Sequence, residues 1–229
     1  MKKKSSLFTF LLLLLVFNCI GEDVINDTVE AELRILNNIE NLSVSESHQF
    51  NISFFNNVGE EEPITVSWTS SNTSVAVITQ EGLLSGVSEG ETTISVSAQY
   101  NNTLVENSTI VTIVDGEVIN LPNEKSGNIV TTSSYALSGS FTLTEIENTE
   151  NLLLSFSDDY NASTSLPGLY LYLTNNPNSI ANAQSLGPVS VFNGSHTYTI
   201  DNTGINDFSY LLYWCEPFGV KVGGGTIND

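Results

Sequence analysis

From residue 33 onward, apolar and polar positions alternate with a period of two in short runs. Val66 and Trp68 oppose Thr65, Ser67 and Thr69, and Ile94, Val96 and Ala98 oppose Thr93, Ser95 and Ser97. That period puts successive side chains on opposite faces of a strand, so each run predicts a strand with one buried face. Gly82, Gly86 and Gly90 punctuate the runs, and strand after strand at such spacing predicts a β-sandwich over residues 33–115. The pattern lapses over 116–125, where Pro122, Asn123 and Glu124 break it, which predicts a linker. It resumes in Ala136 to Thr144, Leu152 to Phe156, the Leu/Tyr alternation Leu169 to Leu173, and Phe208 to Cys215. Val189 to Phe192 and His196 to Ile200 flank Asn193-Gly194, a strong two-residue hairpin signal. The expected fold class is therefore all-β, two β-sandwich domains in tandem, the second spanning 126–229 as a sandwich or jelly-roll-like barrel.

The first 18 residues follow another pattern. Lys2, Lys3 and Lys4 precede the apolar run Leu7 to Phe17, the layout of an export signal. A membrane helix needs about 20 apolar residues, and this run is shorter. Cys19 closes it, which resembles a bacterial lipoprotein signal and implies acylation of Cys19 and a membrane partner reached through the lipid. Val16 and Asn18 depart from the usual residues before such a cysteine, and cleavage after Gly21 is the alternative. Residues 19–32, with Glu22, Asp23, Asp27, Glu30 and Glu32, read as an acidic, solvated tether. The expected location is the outer membrane or cell surface.

Charge narrows the partners. The 229 residues carry a formal net charge of −20. With the signal removed, Arg34, Lys125 and Lys221 stand against 26 acidic residues. Such an excess excludes nucleic acid as a partner, since phosphate binding needs a basic face.

Two stretches resemble known families. Val66-Ser-Trp-Thr-Ser-Ser-Asn72, the Val75-Ala76-Val77 strand, and Gly82-Leu83 followed by Gly86 and Gly90 resemble the bacterial Ig-like domain of group 2. The resemblance implies an Ig-like sandwich serving as a spacer or adhesive module, with Trp68 in its core. In the second half, Leu137-Ser-Gly139-Ser-Phe141, Pro167-Gly168-Leu-Tyr170-Leu-Tyr-Leu173, His196-Thr-Tyr198 and Tyr210-Leu-Leu-Tyr213-Trp214-Cys215-Glu-Pro-Phe218-Gly-Val-Lys-Val-Gly223 resemble the electron-transfer "DM-thirteen" domain. That resemblance implies a redox role carried by Cys215.

The residues themselves leave two readings of Cys215 open. Its only fellow cysteine is Cys19 in the export signal, so Cys215 is either a reactive thiol or metal ligand, or a small hydrophobe in a core. An accessible, oxidisable thiol is the expectation that follows from the first. His196 is the one other common haem ligand in this half, a copper site would lack a second histidine, and Asp158, Asp159 and Asn161 match no calcium-loop spacing. The cofactor is left unknown. The leading function is redox or electron transfer through Cys215, with a redox protein as partner. The alternative is a non-enzymatic surface protein that binds a surface ligand.

Overall fold

The computed structural model describes residues 28–118 and 122–228. The export signal and Cys19 lie outside the described residues. The described chain is built of strands arranged as two sandwiches, each with its own hydrophobic cluster, one drawn from Leu33 to Ile113 and the other from Ile129 to Ile227.

The first sandwich contains β1 (Glu32–Ile35), β2 (Asn41–Ser43), β3 (Ser47–Gln49), β4 (Ile52–Phe55), β5 (Val66–Ser70), β6 (Ala76–Ile78), β7 (Leu83–Gly86), β8 (Gly90–Tyr100) and β9 (Thr103–Val114). Strands β2, β9, β8 and β5 form one sheet in that order, β3, β7 and β6 a second, and β1 pairs with β4. Ile94, Val96 and Ala98 of β8 turn inward and are buried. The β8–β9 hairpin closes through Asn101 and Asn102, both at positive φ, a conformation Asn tolerates better than most side chains and one that matches the strand twist. Trp68 is core: it is 3% exposed and stacks on Phe50 at 5.5 Å. Its strand is the last of the sheet, and the Gln80 amide occupies the free edge, accepting from the Trp68 N–H (3.3 Å) and donating to its carbonyl (3.1 Å). An edge so covered cannot template another strand there.

The second sandwich contains β10 (Glu124–Thr131), β11 (Leu137–Glu145), β12 (Leu152–Phe156), β13 (Asn161–Ala162), β14 (Leu169–Thr174), β15 (Gln184–Pro188), β16 (His196–Ile200), β17 (Tyr210–Cys215) and β18 (Val220–Thr226). They make one nine-stranded sheet in the order β15-β14-β17-β18-β10-β11-β12-β16, with β13 on β11. The sheet curls until Tyr160, after β12, touches Tyr213 of β17 across the core.

The hairpin expected around Asn193-Gly194 does not form. Gly194 has the positive φ of a turn, but β16 pairs with β12, and Asn193 bridges to Asn161. Pairing with β12 lays His196 on Phe156 (4.5 Å, 16° between planes) and sets Tyr198 edge-on to the same ring (5.9 Å). Burying these aromatic contacts outweighs the local turn preference.

Candidate functional site

Strand β17 sends Leu211, Tyr213 and Cys215 into the core, as its alternation predicts. Cys215 is 0% exposed. Its sulfur lies 3.9 Å from the Pro167 carbonyl. Directly after it the chain turns through a 3-10 segment, Glu216–Phe218, and leaves by Gly219 in the left-handed region. The Glu216 N–H donates to the Gly168 carbonyl (3.2 Å), and Pro217 comes so near Gly168 that a Cβ there would stand 3.1 Å from the proline ring. Pro167-Gly168 and Glu216-Pro217 thus close over the thiol. The sequence led to the expectation of an accessible thiol; in the structure Cys215 is buried, two residues past the fully buried Tyr213.

The contacts of His196 are with a backbone carbonyl and aromatic rings. The His196 ring is held by the Gly194 carbonyl at Nδ1 (2.9 Å), stacks on Phe156, and meets Tyr160 edge-on at 4.7 Å. Tyr160 in turn approaches Tyr213, with ring centroids 6.4 Å apart. Neither hydroxyl of this tyrosine pair makes a hydrogen bond of ordinary geometry, and both are buried. Desolvation pushes Tyr160 up to about 12 and Tyr213 well above the ordinary phenol value. Asp159 is engaged in structure, its carboxylate accepting from the Ser140 N–H and hydroxyl (both 3.0 Å). Among the described residues no group of three or more His, Cys, Asp and Glu is arranged to hold a metal.

Two surface features escaped the sequence reading. One is the junction between the sandwiches. Arg34 of β1, only 6% exposed, forks onto Glu32 (3.0 and 2.6 Å), donates to the Asn206 carbonyl (2.8 Å) and Asn175 Oδ1 (3.1 Å), and lies over the Phe55 ring at 4.5 Å. Asn206 answers with a bond to the Leu36 carbonyl (3.0 Å), and Asn176 donates to that of Val58 (3.0 Å). A polar cleft of about 570 Å3 opens beside these contacts, with Glu60, Glu61, Asn202 and Asp207 in its wall.

The other feature lies at the opposite end of the second sandwich, where β14 begins and β17 ends. On the sheet face away from Cys215, Tyr170 pairs with Trp214, Trp214 with Lys221, and the buried Tyr172 with the buried Leu212. Tyr172 donates its hydroxyl to the Glu216 carboxylate. Lys221 Nζ sits 5.0 Å from the Tyr210 ring centroid, and partial burial lowers its pKa. At the rim the turn displays Phe218, 65% exposed, while Val220, paired with Cys215, lies on the other face of the sheet.

Residues 44–112 match the family described as the bacterial Ig-like domain (group 2). Domains of that family are typically extracellular or surface exposed. No curated protein matches the chain. Among the described residues no helix is long and apolar enough to cross a membrane.

Proposed function

We propose that this is a non-enzymatic surface protein that binds a ligand or adheres through its second sandwich, with Cys215 as a packed core residue. The observation that carries the reading is the position of Cys215, fully buried beneath Pro167-Gly168 and Glu216-Pro217. A thiol that works in redox exchange must reach its partner and have thiolate character. A small apolar residue in a core needs neither. Phe218, exposed in the turn after β17 at the far end of the same sandwich, supports the binding role as an apolar side chain left open to a partner. Titrating the native protein with a thiol reagent, then repeating it after unfolding, tests the reading. Cys215 should label only in the unfolded chain; stoichiometric labelling of the native protein would return the redox role to first place.

The acylated Cys19 belongs to the same proposal, supported by a cysteine placed where the apolar run ends. Cys19→Ala should move the protein from the membrane to the soluble fraction. Unaltered partition of this variant would mean that Cys19 is no anchor.

A further inference from the structure

The binding role leaves the ligand's chemistry open, and the far end of the second sandwich narrows it. Tyr170 and Trp214 are directly opposed on β14 and β17, and both are only half-buried on the outward sheet face. Side chains so opposed stand about 5 Å apart at Cβ, which sets the two rings side by side on one face. Phe218, exposed in the turn that follows β17, stands at its rim. An ammonium, Lys221, and a carboxylate, Glu216, border it.

The charges of this patch set it apart from the rest of the protein. Net charge over the chain is −20, and at the junction end Glu145, Glu147, Glu150 and Asp207 crowd one cleft. The patch pairs a single carboxylate with a single ammonium, and the carboxylate is already hydrogen-bonded by Tyr172. An anionic polymer or anionic bilayer would be repelled by the whole molecule and find no basic cluster here. A cationic partner would be drawn to the acidic junction end instead. What suits near-neutral aromatic rings, flanked by a donor and an acceptor, is an uncharged, hydroxyl-rich chain. The C–H faces of its sugar rings can lie on the aromatics while its hydroxyls reach Lys221 and Glu216.

We propose that Tyr170, Trp214 and Phe218, bordered by Glu216 and Lys221, form a binding face for a neutral polysaccharide. This rests on the binding role above, but the two can fail separately. The thiol titration decides whether Cys215 is inert, whereas the present assignment stands or falls on the ligand.

The test is affinity electrophoresis of the purified protein in gels containing laminarin, hydroxyethylcellulose or dextran, with Trp214 fluorescence followed in solution. The first sandwich holds the other tryptophan, Trp68, in its core, so a ligand-induced change reports on Trp214. Retardation by at least one polysaccharide is expected, with Phe218→Ser and Tyr170→Ala each weakening it about 10-fold or more. Phe218 is exposed on a turn, so F218S keeps the fold and the readout even if a sheet variant does not. Retardation by none of the three polymers would overturn the assignment. Equal retardation of wild type and F218S would overturn it too, placing the ligand elsewhere. Binding to phosphatidylcholine vesicles in place of the polysaccharides would overturn it in favour of a lipid surface.

Discussion

Tyr160 and Tyr213 bury two phenol hydroxyls side by side with no hydrogen bond of ordinary geometry for either. An unsatisfied buried hydroxyl costs about 1–3 kcal/mol, and removing it restores that amount if the ring keeps its place. Tyr213→Phe should therefore be neutral or stabilising in chemical denaturation, unlike an ordinary core substitution. The variant also has a pH signature. The folded pKa of Tyr213 is raised above its unfolded value of about 10. The group thus favours the folded state fully below that value, and the contribution is lost as pH climbs through the raised pKa. Tyr213→Phe should hold its stability better above about pH 10 than wild type does. A loss of more than 2 kcal/mol at neutral pH would show that the hydroxyl has a partner, such as a buried water. Cys215 belongs to the same core, which explains why the motif around it read as chemistry. In sequence, a tyrosine-tryptophan-cysteine run looks the same whether its alternate residues face solvent or core.

At the level of strands, alternation made most of the fold legible. Leu169, Leu171 and Leu173 against Tyr170, or Ile94 and Val96 against Thr93 and Ser95, state which face is buried, and the structure places them so, although Tyr172 on the other face of β14 is buried too. Pairing partners were less legible, because they depend on contacts distant in sequence. The turn at Asn193-Gly194 argued for a local hairpin, yet β16 went to β12, whose Phe156 offered His196 and Tyr198 a ring to pack on. Strand β18 shows the same dependence on neighbours. Its three consecutive glycines, Gly223 to Gly225, carry no strand pattern of their own, yet they lie within the strand and are buried. The reason is lateral: the Tyr210 ring lies over Gly224, and a Cβ there would collide with that ring and with the Leu211 carbonyl. Gly224→Ala should destabilise by about 1–3 kcal/mol, as overpacking does, although alanine is the better residue for an unconstrained strand. A variant as stable as wild type in urea would show that the Tyr210 ring and the Leu211 carbonyl both give way at little cost.

The whole molecule differs from beads on a string, although the sequence suggested a spacer and a cargo domain joined by a linker. Arg34 is the reason. It is the only lysine or arginine of the first sandwich. Nothing in its local sequence signals its role, because Asn175 and Asn206 lie 141 and 172 residues away. Its guanidinium is nearly buried, doubly bound to Glu32, and joined to the second sandwich by two hydrogen bonds. Breaking a buried charged network by removing one partner typically costs about 3–5 kcal/mol, but Glu32 is partly exposed, at 45% of its side chain, so the loss here falls below that range. Neither hydrophobic cluster includes the guanidinium, so removing it should release the junction and spare both cores. Arg34→Ala is therefore expected to keep the strand signature in circular dichroism. It should widen the distance distribution in small-angle scattering and split one thermal transition into two. Arg34→Lys should behave like the alanine variant, since an ammonium cannot span Glu32, Asn175 and the Asn206 carbonyl with the planar fork of an arginine. If either variant scattered like wild type, the junction would be held by its other contacts, among them the Asn206–Leu36, Asn176–Val58 and Asn182–Glu60 bonds. The single cation of the first sandwich would then matter only to Glu32.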